Sequence, residues 1–182
     1  MYQSNIRLLA EIAIFSAIAL VFDKLPLFTM PQGGSVSLVM LPILFLALRH
    51  GLSLGILAGG IVGTIQLFYG GYFLNVFQVF LDYALSYAGI GLAGFLAPFL
   101  TKQKELKQAT LVISLASLLG GSIRLLATFL SGIIFYADYA PAGTPVWLYS
   151  FTYNISYILP STIIACILLI LLYKARPSFY RM

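Results

Sequence analysis

Asp82, Gln78, Arg124, Thr128 and Asn154 are polar or ionisable residues set deep within apolar stretches of this 182-residue chain. A carboxylate near the middle of a bilayer-spanning segment costs about 2.5 to 3.5 kcal/mol on insertion scales, so a chain keeps one where it has a partner or a task. An acid in a low-dielectric pocket walled by tyrosine and tryptophan faces suits an organic cation. The acid attracts the cation directly, and each ring adds a cation–π contact of about 0.5 to 2 kcal/mol. Gln78, Thr128 and Asn154 would add hydrogen bonds to a polar heteroaromatic ring. A purely structural alternative is that Asp82 neutralises Arg124 across two helices, a buried pair that orders the bundle and leaves room for a site beside it.

Aromatic residues gather at the same depth: Tyr69, Tyr72, Tyr83, Tyr136, Tyr139, Trp147, Tyr149 and Tyr153. Belts of Trp and Tyr occur at both membrane interfaces and account for Tyr69 and Tyr139. The excess on one side implies that some rings line a chamber. Enzymatic chemistry, by contrast, is poorly supplied. His50 is the one histidine and Cys166 the one cysteine, no cluster has metal-ligand spacing, and Asp82 has no second acid beside it for a paired-carboxylate mechanism. The phosphate-loop pattern is missing. The expectation is a protein that is not an enzyme and holds no metal or cofactor of its own.

The elements that must position these groups are set by composition. Hydrophobic residues make up 61% of the chain and charged ones 8%, against about a quarter charged in an average soluble domain. Such a chain is an integral membrane protein. Segments long enough to span fall six times, at about 6–23, 35–48, 51–69, 72–98, 108–136 and 148–174, which predicts a single all-α membrane domain. Arg7, Arg49, Lys102, Lys104, Lys107, Lys174, Arg176 and Arg181 then share one side, which the positive-inside rule makes the cytoplasm. Both termini are expected there. The net charge of +5 therefore reports topology and does not point to nucleic acid. Arg7 followed by an apolar run and Ala17-Ile18-Ala19 imitates a secretory signal, but five spans follow, so the segment is expected to stay. Cys166 allows no internal disulfide, and the Asn154-Ile155-Ser156 sequon lies inside a span.

Polar residues recur at helical spacing in the last three spans: Asn75, Gln78, Asp82, Ser86 and Gly89; Ser114, Ser117, Gly121, Arg124, Thr128 and Ser131; Ser150, Tyr153, Asn154, Tyr157 and Ser161. Lipid cannot satisfy such stripes, so they face protein or a water-filled chamber. At the helical rise Asp82 lies about 15 Å below the outer end of its span. Arg124 and Asn154 lie at comparable depth, and the chamber opens outward. Gly51, Gly55, Gly59 and Gly63 form a strip that permits close backbone approach. Ala13 and Ala17, flanked by Ala10, form a second small-residue face.

Four blocks carry a family resemblance. They are Met30-Pro31-Gln32-Gly33-Gly34-Ser35-Val36-Ser37, Phe80-Leu81-Asp82-Tyr83, Ser131-Gly132-Ile133-Ile134-Phe135, and Gly143-Thr144-Pro145-Val146-Trp147-Leu148-Tyr149-Ser150-Phe151-Thr152-Tyr153-Asn154. The chain resembles the thiamin-specific substrate-binding (S) subunits of energy-coupling factor (ECF) transporters from about Arg7 to Lys174. The resemblance implies a six-helix bundle in the bacterial plasma membrane that captures the vitamin from outside and delivers it inward by toppling. It further implies a transmembrane coupling subunit (EcfT) and two ABC-type ATPases, so that ATP is used by partners only. Asp82 stands where the family has an acidic binding residue, usually glutamate, with Tyr83 beside it. Tyr149 and Asn154 match binding positions of the sixth helix, Tyr72 one at the start of the fourth, and Tyr136 an aromatic position of the fifth. Ala13 and Ala17 match the motif that docks on the coupling subunit. The loop of Met30, Pro31, Gln32, Gly33 and Gly34 matches the gate over the pocket. Thr128 departs from the pattern, because the family places a histidine there. With Gln78 and Trp147 these residues make up the expected binding set. The rival cargoes are another small vitamin or pyrimidine precursor, such as hydroxymethylpyrimidine or pyridoxine. A rival of another class is a ligand-free membrane interaction protein or membrane enzyme.

Overall fold

A computed structural model describes residues 2–103 and 105–180, with side chains from Ile6 onward. Lys104 and Arg181, counted above among the cytoplasmic charges, lie outside the described residues. Six helices dominate the described chain: α1 (Tyr2–Lys24), α2 (Met40–His50), α3 (Leu52–Phe68), α4 (Val76–Thr101), α5 (Leu106–Phe135) and α6 (Val146–Ala175). Short 3₁₀ turns follow α5 at Ala137–Tyr139 and α6 at Pro177–Tyr180. Between α1 and α2 a small antiparallel hairpin pairs β1 (Phe28–Thr29) with β2 (Ser35–Val36), in the register Phe28↔Val36 and Thr29↔Ser35. Helices α4, α5 and α6 are each long and apolar enough to cross a membrane, whereas α2 and α3 are shorter apolar helices.

The second expected span, 35–48, is corrected. Its first residues form β2, and the helix that follows has 11 residues, about 16 Å at the helical rise, too short to cross a hydrocarbon core of about 30 Å alone. Met40 and Pro42 through Leu48 are all buried, because α2 forms the centre of the bundle, enclosed by its neighbours. A strand and a short buried helix joined by apolar residues look in sequence like one continuous span. The fourth span, expected at 72–98, runs instead from Val76 to Thr101. Asn75 caps its start by accepting from the Gln78 amide at 2.9 Å, and the preceding residues Gly70 to Leu74 form the connection from α3.

The glycine strip does what close packing requires. A Cβ on Gly59 would collide with the Tyr87 carbonyl, one on Gly63 with the Tyr83 carbonyl, and one on Gly55 would stand 2.8 Å from the Gly91 carbonyl. Hence α3 lies backbone to backbone against α4. Gly51 is different: it ends α2 at a φ of 91°. The stripe of α5 packs on that of α6, with Gly121 against Thr162 and Gly132 against Ser150.

Candidate functional site

Helix α4 is not regular. Phe80–Leu85 form a π turn and Gly91–Leu96 a 3₁₀ stretch inside an otherwise α-helical run, and π turns occur preferentially at functional sites. With more residues per turn, the π segment broadens the helix face turned inward. Asp82, Tyr83, Ser86 and Tyr87 all line one cavity. That cavity, about 460 Å³, lies between the hairpin and the ends of α4, α5 and α6 that the hairpin covers. From α5 it receives Arg124, Thr128 and Gly132, from the residue that follows α5 Tyr136, and from α6 Tyr153, Asn154 and Tyr157. Asp23 and Lys24 at the end of α1 complete its rim.

At its wall, Asp82 Oδ2 accepts from Gln78 Nε2 at 2.6 Å and from the Tyr136 hydroxyl at 3.2 Å. The expected alternative pairing of Asp82 with Arg124 is not what forms. Among the described residues the ion pair joins Glu11 to Arg49, and His50 Nε2 stands 2.7 Å from the same carboxylate. Arg124 turns instead onto Tyr87, its guanidinium carbon 4.7 Å from the ring centroid and its Nη2 3.4 Å from the hydroxyl. A planar guanidinium stacks readily on an aromatic face, and that contact draws it off the carboxylate. Asp82 thus keeps neutral hydrogen-bond donors around it.

Of the expected binding residues, Tyr72, Asp82, Tyr83, Thr128, Tyr136 and Asn154 line the cavity. Gln78 does not. It is fully buried behind Asp82, where its Oε1 accepts from the Leu74 amide at 3.0 Å, so it holds the carboxylate and cannot meet a ligand. Tyr149 stacks beside Tyr153, with ring centroids 5.7 Å apart, and lines a side recess of about 30 Å³. Trp147 stands outside both and is 57% exposed, because the first turn of α6 presents it to the surroundings. Tyr69 is exposed too. Ala10, Ala13 and Ala17 are all exposed on α1.

The hairpin turn covers the cavity. Met30 N–H donates to the Gly34 carbonyl at 2.9 Å and Gly33 N–H to the Met30 carbonyl at 3.3 Å. Gly33 and Gly34 have φ values of 92° and 87°, a region open to glycine and costly for other residues. Tyr153, Tyr157, Tyr87 and Ser86 line the cavity without having been singled out from sequence as binding residues. Continuing the stripes by three or four positions from Asp82, Tyr83 and Asn154 reaches all but Tyr153, which directly precedes Asn154.

Residues 9–181 match the family model described as "Thiamine transporter protein (Thia_YuaJ)". The chain is 39% identical to the thiamine transporter ThiT of Bacillus subtilis (strain 168), over 95% of this chain and 93% of that protein. It is 29% identical to the thiamine transporter ThiT of Lacticaseibacillus paracasei, over 98% of this chain and 92% of that protein. A solved structure of ThiT from Listeria monocytogenes superposes with a TM-score of 0.90 at 26% identity, covering 98% of this chain and all of that one. With the family model spanning nearly the whole chain and a solved relative sharing its six-helix bundle, the protein belongs to the thiamine transporter (Thia_YuaJ) family.

Proposed function

We propose that this chain is a thiamin-specific membrane S component, which binds thiamin in the hairpin-covered cavity and works in vitamin uptake. The observation that carries this reading is Asp82. A single carboxylate, held by Gln78 and Tyr136, faces a cavity also lined by Tyr72, Tyr83, Tyr87, Tyr153 and Tyr157. Thiamin offers such a site a thiazolium cation and an aminopyrimidine donor. Asp82 serves it either by accepting hydrogen bonds from the aminopyrimidine or by offsetting the thiazolium charge, while the tyrosines stack on the rings. The named activity of the relatives is transport, and the chain acts as a transporter component and not as an enzyme.

The finer assignments belong to the same proposal. The termini lie in the cytoplasm of a bacterial cell, the hairpin end faces outward across the plasma membrane, and the hairpin is the gate. The exposed Ala13 and Ala17 dock on an ECF transmembrane coupling subunit (EcfT) driven by two ABC-type ATPases, so that ATP is used by the partners only. Calorimetric titration of the detergent-purified chain tests the binding half. Thiamin is expected to bind, and Asp82→Asn to weaken it tenfold or more, since a charge-assisted hydrogen bond becomes a neutral one. Unchanged affinity in that variant would remove Asp82 from the site. Tighter binding of hydroxymethylpyrimidine or pyridoxine than of thiamin would reassign the cargo.

A further inference from the structure

The hairpin rests on α6 along a single face. Gln32 N–H donates to the Tyr153 hydroxyl at 2.9 Å, and the same hydroxyl donates to the Gly33 carbonyl at 2.9 Å. One phenol is therefore both acceptor and donor to adjacent residues at the tip of the turn. One turn further along α6, Gly34 lies so close to Tyr157 that a Cβ there would stand 2.7 Å from its Cζ. Tyr157 cannot give way, because it is buried and its hydroxyl donates to Asn154 Oδ1 at 2.7 Å. Ser156 adds a long contact of 3.9 Å from its hydroxyl to Met30 Sδ. Further down, Ser37 N–H donates to Ser161 Oγ at 3.2 Å, which pins the base of the hairpin to the same helix. The turn is closed on itself by its own backbone bonds between Met30, Gly33 and Gly34. It can therefore lift as a unit about its pinned base once its tip is freed.

We infer that the Tyr153 hydroxyl is the latch of this cover and sets the rate at which ligand enters and leaves the cavity. The rate half of the inference rests on the thiamin reading; the latch half does not. Both hydrogen bonds go to backbone atoms, so the latch is independent of the side chains carried by the turn. The Tyr153 hydroxyl is thus a positioning group for the cover, while the ring that carries it also lines the cavity.

Tyr153→Phe removes both bonds and keeps the ring with its tilted contact to Tyr149 and its edge-on contact to Tyr157. Residue-resolved hydrogen exchange on the ligand-free protein in detergent reads the latch directly. The Gln32 amide is expected to lose protection in the variant. The Met30 amide, bonded inside the turn, keeps its protection as an internal control. Dissociation of thiamin, followed by chasing labelled thiamin with excess unlabelled vitamin, is expected to accelerate about tenfold, a barrier change of about 1.4 kcal/mol. Gly34→Ala gives a second route with the phenol intact: its Cβ would stand 2.7 Å from Tyr157 Cζ and its φ of 87° strains alanine, so both effects push the turn off α6, and it should also expose the Gln32 amide and speed release. Unchanged Gln32 exchange in Tyr153→Phe overturns the latch. Faster exchange with an unchanged dissociation rate overturns its control of release. A wild-type chain that binds no thiamin overturns the vitamin reading and leaves the latch to be judged on exchange alone.

Discussion

Thr128 is the position at which the resemblance predicts a histidine, and its hydroxyl is already engaged. Its Oγ1 lies 3.2 Å from the carbonyls of both Arg124 and Leu125, the back-bonding that serine and threonine make within helices. The hydroxyl proton is thus directed to its own helix, and a ligand can find only an acceptor there. Thr128→Val is therefore expected to change thiamin affinity less than about threefold in calorimetric titration, far less than Asp82→Asn. A loss as large as that of the Asp82 variant would mean that the hydroxyl turns to the ligand. Much of the cavity was legible at this scale, because polar spacing in α4, α5 and α6 selects the residues that face inward. Sequence spacing could not separate Asp82 from Gln78, four positions apart on one face. Only the packing shows that Gln78 is sealed behind the carboxylate. Nor could it tell that Arg124 would settle on Tyr87, since both alternatives lay within reach of its long side chain.

Elements were legible where a single periodicity held. The spans expected at 108–136 and 148–174 appear as Leu106–Phe135 and Val146–Ala175, because long apolar runs with one polar stripe have one helical solution. The hairpin and α2 were not, since strands of two residues carry no alternation to detect and a helix buried on every side carries no polar face. The π turn of α4 was hidden too, because residues spaced by four suit a slightly widened turn as well as a regular one. Its partner element, α3, depends on glycine. With the Tyr87 carbonyl lying where a Gly59 Cβ would be, Gly59→Ala must separate α3 from α4, and overpacking of this kind costs about 1 to 3 kcal/mol. The melting temperature in detergent is expected to fall clearly for Gly59→Ala. Gly60→Ala, one residue on and with open space at its Cβ, is expected to leave it unchanged or raise it. Equal melting of the two variants would refute the close approach.

At the scale of the whole molecule the two ends of the bundle are built for different purposes. One end holds the cavity and its cover. At the other, Arg49 at the close of α2 donates to both carboxylate oxygens of Glu11, at 2.9 and 3.2 Å, and to the Phe179 carbonyl. His50 Nε2 stands 2.7 Å from the same carboxylate. Tyr180 is fully buried beneath, its hydroxyl donating to the Leu169 carbonyl at 3.0 Å. One guanidinium therefore ties α1, α2 and the C-terminal turn together. Glu11 and Lys24 are thirteen positions apart on α1, about 20 Å at the helical rise, and Lys24 already lines the cavity. Sites so separated act independently. Lysine keeps the charge but cannot make the fork to Glu11 and reach Phe179 as well. The pair is partly exposed, with a third of the Glu11 side chain accessible, which limits the loss to about 1 kcal/mol. Arg49→Lys is accordingly expected to lower the melting temperature by about 2 to 4 °C while leaving thiamin affinity within about twofold. The double variant Arg49→Lys with Asp82→Asn should show the sum of the two single losses. Non-additive behaviour in the double variant would mean that the Arg49 junction and the cavity form one coupled unit, with α1 rigidly transmitting strain between them.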